Sequence, residues 1–238
     1  MPVTICGVHL MALNVRQFAY EGFSLPTEVT DLTSFRRWVL NPEFPKTPRY
    51  AFLDREIWVD GRHDSFAVNQ ARLAVSIALA RHANETDGTF FTTGMRLTHI
   101  QASASFEPEG IFWTRDWEKR GLVDYGFGPD DNTTTDINES CEIVGSPEIL
   151  LSVMPIPGSL SNRRLFDAAM LSVGPREWWQ VDVKDLRAPL KILNCGREGF
   201  YARRESDGFC FSEVMKRFVR LKVKDGRLGL PKFSVEER

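Results

Sequence analysis

One short run constrains this chain more than any other feature. From Ile149 to Met154 every position is apolar except Ser152. A strand buried on one face alternates apolar and polar residues, so a continuous run of strand length predicts a central strand covered on both faces. Such a strand needs two layers of cover. With 238 residues, 42% of them hydrophobic and 26% charged, the chain has the material for a core of that size without disulfide staples.

The elements on either side supply the cover. Leu32 to Leu40 reads as a helix capped by Asp31 or Thr33, with Phe35, Trp38 and Val39 inward and Asn41-Pro42 as its stop. Tyr50–Leu53 and Glu56–Val59 flank Asp54-Arg55 as a tight hairpin. Asp64 or Ser65 opens the clearest helix, with Val68, Ala71, Val75, Ala78 and Leu79 at helical spacing and Leu73 and Ile77 widening the same inward stripe. Phe90–Leu97, Ile100–Ser105 and Gly110–Thr114 read as strands, and the acidic segment 116–142 as a surface excursion. Ser161 or Asn162 caps a further helix with Leu165, Phe166, Ala169, Met170 and Val173 inward, ended by Gly174-Pro175. Trp178–Val183 is another strand, whose adjacent tryptophans face opposite sides and so belong to the core. The order predicts an α/β (α+β) fold: a mixed sheet flanked by helices, then a β-rich C-terminal extension. Residues 1–30 read as an N-terminal lead-in and 31–238 as one domain, with 184–238 its basic tail.

Charge and composition exclude several functions. No apolar run approaches the ~20 residues of a membrane helix, and Met1–Val15 has no basic start for a secretion signal, so a cytoplasmic protein is expected. The four cysteines form no CxxC and the four histidines no HxxxH, which argues against a common zinc site and for free thiols in a reducing compartment. There is no GxSxG and no glycine-rich phosphate loop. Net charge is −2, yet residues 184–238 hold 14 basic against 8 acidic residues. That tail offers contacts to phosphate, or else a solvated strand face with charges alternating outward.

The element order and several local strings resemble the putative restriction endonuclease family of the PD-(D/E)XK nuclease superfamily. The strings are Ser34-Phe35-Arg36-Arg37-Trp38, Leu53-Asp54-Arg55-Glu56-Ile57-Trp58-Val59-Asp60, Glu107-Pro108-Glu109-Gly110-Ile111-Phe112, Gly145-Ser146-Pro147-Glu148 running into the apolar strand, and Arg176-Glu177-Trp178-Trp179-Gln180-Val181-Asp182. The tail from Gly199-Phe200 to Leu228-Gly229 matches one subgroup, so the likeness covers roughly residues 32–238. The resemblance implies a restriction endonuclease-like fold and Mg²⁺-dependent (or Mn²⁺-dependent) hydrolysis of DNA, the metal activating water and neutralising charge on phosphate.

The resemblance also marks departures. The family's first acid, an Asp after proline, corresponds to Glu109; its second acid corresponds to Ser152, and the superfamily's lysine to Met154. Relatives with the lysine on the next helix would have it near Arg163 and Arg164. Arginine holds phosphate but stays charged and is a poor proton-transfer group. Glu109 and Glu148 are the candidate metal ligands, with Glu107 a further acid near the strand ends. Glu109, Ser152 and Arg164 are the candidate catalytic positions. Three readings stay open, the first two being a weak metal-dependent endonuclease and a catalytically dead nuclease fold that binds DNA or a protein, in either case with a homodimer in view. A decaying copy without activity is the third.

Overall fold

The computed structural model of the chain describes residues 13–18, 25–45, 47–126, 142–153, 160–196, 198–226 and 229–238. The first half runs β1 (Asn14–Phe18), α1 (Leu32–Val39), β2 (Arg49–Leu53), β3 (Glu56–Asp60), α2 (Phe66–Thr86), β4 (Gly88–Thr92), β5 (Arg96–His99), β6 (Ala104–Phe106) and β7 (Gly110–Thr114). Then come α3 (Arg115–Lys119), β8 (Val123–Gly126), β9 (Glu142–Gly145), β10 (Ile149–Val153), α4 (Leu160–Val173) and β11 (Glu177–Val181). The tail is β12 (Leu190–Gly196), β13 (Gly199–Tyr201), β14 (Cys210–Ser212), β15 (Arg217–Asp225) and β16 (Pro231–Glu237). Among the described residues no helix is long and apolar enough to cross a membrane.

Among the described residues these strands form three sheets. The six-stranded sheet has the order β13-β12-β11-β10-β7-β4, the seven-stranded sheet β1-β3-β2-β6-β5-β9-β8, and the tail sheet β14-β15-β16. The apolar run forms β10, inside the six-stranded sheet, parallel to β11 and antiparallel to β7. Ile149, Leu150, Leu151 and Val153 are all essentially excluded from water. Their alternation divides two cores. Ile149, Leu151, Val153 and Trp179 pack with α2 and the tail sheet. Leu150 and Trp178 pack with Ile111, Trp113, Leu97, Ile143 and the α4 residues Ala169, Met170 and Val173. A third cluster seats Phe35 and Val39 of α1 on Phe52, Ile57 and Val59 of the hairpin.

Local chemistry explains the boundaries. Asp31, rather than Thr33, caps α1: its carboxylate accepts the Ser34 N–H at 2.8 Å. Ser65, rather than Asp64, caps α2. Asp54 (φ 49°) and Arg55 (φ 64°) both take the left-handed region, the two-residue turn whose twist suits a hairpin.

Several expectations change. Leu73 and Ile77 do not widen the inward stripe of α2; they are 54% and 59% exposed, because the helix is apolar on both sides and periodicity could not say which side packs. Leu165 is likewise exposed on α4. The single strand expected over Phe90–Leu97 is two strands in different sheets, parted by a turn at Gly94 (φ 100°), and only Ala104–Phe106 of the next segment pairs. Part of the lead-in is ordered, since β1 pairs in parallel with β3. The α4 helix starts at Leu160, so neither Ser161 nor Asn162 caps it; Asn162 instead accepts a hydrogen bond from Arg16 at 2.9 Å. Within the acidic excursion, residues 127–141 lie outside the described residues, while β8 pairs with β9. Cys195 and Cys210 are free thiols; Cys6 and Cys141 lie outside the described residues.

Two buried carboxylates fix how the layers dock. Glu142, with no exposed surface, receives both Arg36 Nε and Nη2 at 2.9 and 2.6 Å and the Thr98 hydroxyl, tying α1 to the seven-stranded sheet. Glu177 accepts from Ser212 Oγ (2.8 Å), Val214 N–H (2.9 Å) and Trp179 Nε1 (2.8 Å), tying the tail to β11. Burial pushes the Glu177 carboxyl above the ordinary carboxylate range, against those donors.

Two outcomes follow from this packing. Arg36→Met strands a buried charge and lowers unfolding free energy by about 3–5 kcal/mol, whereas Arg36→Met/Glu142→Met recovers most of it; equal losses in urea titrations of the two variants contradict the pairing. Burial lowers the pKa of both His82 and His99 below the ordinary histidine value of about 6.5. A depressed histidine pKa means that the unfolded chain takes up the proton first as pH falls. Stability is therefore complete above about pH 6.5 and declines below it, by at most about 1.4 kcal/mol per pH unit per histidine. His82→Gln/His99→Gln flattens that slope; an unchanged slope refutes the assignment.

Candidate active site

Glu109 lies immediately before β7, where its backbone N–H donates to Leu151 O at 3.1 Å. The antiparallel register, Gly110 against Leu151, therefore sets its side chain beside the C-terminal half of β10. Glu109 is 8% exposed, and its carboxylate uses both oxygens. Oε2 accepts the Val153 N–H at 3.2 Å, and Oε1 accepts Arg49 Nη1 at 2.9 Å.

Arg49 is the first residue of β2 and spans two carboxylates. Its Nη2 reaches Asp64 at 3.0 and 3.1 Å, and Asp64 in turn lies 2.8 Å from Arg72 of α2. The result is an alternating row, Glu109, Arg49, Asp64, Arg72. Burial raises the Glu109 carboxyl above its usual range, and the Arg49 guanidinium and the Val153 N–H work against that shift. On Arg49, burial opposes the charge, and Glu109 and Asp64 outweigh it, so its pKa rises.

A cleft of about 120 Å³ opens beside this row, lined by Glu109, Ser152, Arg49, Asp60, Arg62 and Glu107 among others. Its other carboxylates are also matched by arginines. Asp60 is held by Arg62 at 2.7 Å, and Glu107 by Arg96 at 2.7 Å. Ser152, on β10, accepts a hydrogen bond from Trp178 Nε1 at 3.0 Å. It lies between this cleft and a larger one of about 610 Å³, whose lining includes Arg163, Asp167, Lys191, Phe200 and Arg204.

Glu109 and Ser152, the two positions that the resemblance marks, thus line one cleft. Glu148 does not join them. It sits before the opposite end of β10, buried, accepting the Thr114 N–H at 2.7 Å and Arg176 Nη1 at 3.3 Å. The length of a five-residue strand, roughly 13 Å at 3.3 Å per residue, separates it from Glu109, too far for a shared Mg²⁺ with ~2.1 Å bonds. Arg164 is exposed on α4 and is not part of the lining of either cleft; its neighbour Arg163 lines the larger one. Met154 lies outside the described residues. Among the described residues no group of three or more His, Cys, Asp or Glu is arranged to hold a metal.

Several of the tail's cations are engaged within the chain. Arg217 pairs with Glu85 and Glu237, Arg220 and Lys222 with Glu236, and Arg238 with Glu205 and Asp207. Arg220 and Arg238 also lie 4.4 and 4.3 Å from the Phe209 ring centre.

The residues that sequence reasoning missed are Arg49, Asp64 and Arg72. Arg49 and Asp64 stand at element ends, where charge is ordinary, and Asp64 drew attention only as a possible helix cap.

No family model matches the sequence, and no curated protein is similar to it. Among solved structures the chain is similar to one described as a putative nuclease belonging to DUF820 from Anabaena variabilis, with a TM-score of 0.53, 11% identity, and 78% of this chain and 90% of that one covered. The chain therefore shares the fold of that protein.

The ion-pair row makes a specific prediction. Arg49→Met leaves Glu109 buried without its cation. An acid whose folded pKa is raised contributes stability fully present below its unfolded value and lost as pH rises through the folded one. The deficit of Arg49→Met is then larger at pH 8 than at pH 5, about 2 kcal/mol after allowing for partial exposure of the pair. Adding Glu109→Gln removes that pH dependence. A deficit equal at both pH values, unrelieved by Glu109→Gln, contradicts the pairing.

Proposed function

We propose that this chain is a nuclease-fold protein that no longer carries out efficient metal-dependent phosphodiester hydrolysis and acts by binding DNA. The observation that carries the first half is the Arg49 guanidinium seated on Glu109. Mg²⁺ needs at least one carboxylate free to ligate it and usually a second. Here the one acid at a family position is already neutralised, the second position is a serine hydroxyl accepting from an indole, and the remaining acids of the cleft carry their own arginines. Those residues do not fit a resident Mg²⁺ or Mn²⁺, and no hydrolytic step is assigned through one. With the metal and the lysine goes the means of activating water at neutral pH.

The second half rests on fold likeness and on the larger cleft. There Arg163, Lys191 and Arg204 supply guanidinium and ammonium groups for phosphate, and Phe200, packed on Trp178 at 5.4 Å, offers a ring face for a base. Asp167, Asp182 and Asp185 in the same cleft hold the affinity down.

The test pairs cleavage with binding. Supercoiled plasmid incubated with the protein and Mg²⁺ or Mn²⁺ stays intact, and Glu109→Ala behaves identically. Binding to a short duplex or single strand weakens steeply with salt and falls in Arg163→Ala/Lys191→Ala. Metal-dependent nicking lost in Glu109→Ala overturns the silent site. Absence of salt-sensitive DNA binding turns the search to a protein partner.

A further inference from the structure

The small cleft is walled by rings and holds no unmatched carboxylate. Trp58, Phe106 and Phe166 line it, with Leu53 and Val153. Trp58 and Phe106 are buried, whereas Phe166 keeps part of its surface exposed and meets them edge-on, at 6.0 and 6.5 Å between ring centres. Glu109 is matched by Arg49, Asp60 by Arg62 and Glu107 by Arg96, so the guanidinium groups of the lining are already spent on its acids. A phosphate entering here would have to break one of these pairs and lie beside the acid it freed. A neutral planar ring breaks none of them and can stack on Phe166.

The volume of about 120 Å³ sets the size of that ring. A cavity of roughly 150 Å³ takes benzene, so the cleft matches one six-membered ring rather than a fused pair. It also offers a donor. Ser152 accepts from Trp178 Nε1 at 3.0 Å, and among the described residues its own hydroxyl proton has no acceptor, which leaves it for a carbonyl on the ring.

The larger cleft shares Ser152 and has the opposite character. Ser152 stands opposite Gln180 on β11, and Gln180 opposite Lys191 on β12. The three step across one row of the sheet, which sets Lys191 about 10 Å from Ser152 at ~4.8 Å per strand. Helix α4 borders both clefts: Phe166 lines the small one, and Arg163, one turn earlier, the larger. A ring held beside Ser152 thus has cations within reach of the sugar-phosphate that carries it. Building on the DNA-binding reading proposed above, we infer that the small cleft receives the base of an unpaired pyrimidine nucleotide, while Arg163, Lys191 and Arg204 hold the flanking phosphates. A paired base must first be unstacked and unpaired to enter, so the site selects DNA in which a pyrimidine is already unpaired.

Affinity at one salt concentration is compared for three short duplexes of one sequence: fully paired, with one cytosine opposite an abasic site, and with one adenine opposite an abasic site. The unpaired cytosine binds about tenfold more tightly than the paired duplex, the scale of one stacked base, and the unpaired adenine shows no such gain. Phe166→Leu removes the ring but keeps an apolar side chain, and brings the cytosine preference close to one. Ser152→Ala lowers it independently by removing the donor. Pyrrolocytosine fluorescence at the unpaired position is quenched on binding to the wild type and not to Phe166→Leu. Equal affinity for the paired and unpaired duplexes, an equal gain for adenine, or a preference that both variants leave intact overturns the inference and leaves DNA binding by the larger cleft standing. Binding to all three that is undetectable or insensitive to salt overturns both readings.

Discussion

The strand Ile149–Val153 is the constraint on which the rest depends. Its side chains point alternately into two cores, so both faces must be dry, and every neighbour is arranged to keep them so. On one side α2 and the tail sheet close over Leu151 and Trp179; on the other the seven-stranded sheet and α4 close over Leu150 and Trp178. The same alternation fixes Ser152. Its indole donor comes from Trp178 on the adjacent parallel strand, and the C-terminal end of β10 becomes the wall shared by the two clefts.

Electrostatics at that wall follow from burial. A carboxylate held at the level of Glu109 needs a cation close by. A metal is one solution; a guanidinium is another, and it comes with fixed geometry and permanent charge. Arg49 adopts that role because it begins β2, whose antiparallel register with β3 brings it to the same edge as Asp60 and the start of α2. The row continues through Asp64 to Arg72, so the charge at Glu109 is balanced by residues of β2, of the loop before α2 and of α2 itself. The cores themselves do not include this edge.

Much of the architecture was legible in the sequence because it rests on short-range patterns. The Asp54-Arg55 hairpin, the caps at Asp31 and Ser65, the buried strand before α4 and the opposed rings of Trp178 and Trp179 each follow from neighbours within a few residues. What was not legible depends on distance. Arg49 finds Glu109 across 60 positions, and nothing local distinguishes it from a solvated arginine at a strand end. Leu73 and Ile77 misled because a helix apolar all round has no preferred face until its partner sheet is known. Glu148 misled differently: its place before β10 matched the family string, and only the antiparallel pairing with β7 revealed that it lies at the far end from Glu109.

The central claim is that the cation at Glu109 is already provided by the chain. Titration of the purified protein into Mn²⁺, followed by the paramagnetic resonance of the free ion, tests it without any assumption about substrate. The account predicts that the free-ion signal stays proportional to total Mn²⁺, for the wild type and for Glu109→Gln alike. A stoichiometric loss of signal in the wild type that disappears in Glu109→Gln contradicts it, because a metal would then displace Arg49 from a site that still binds one.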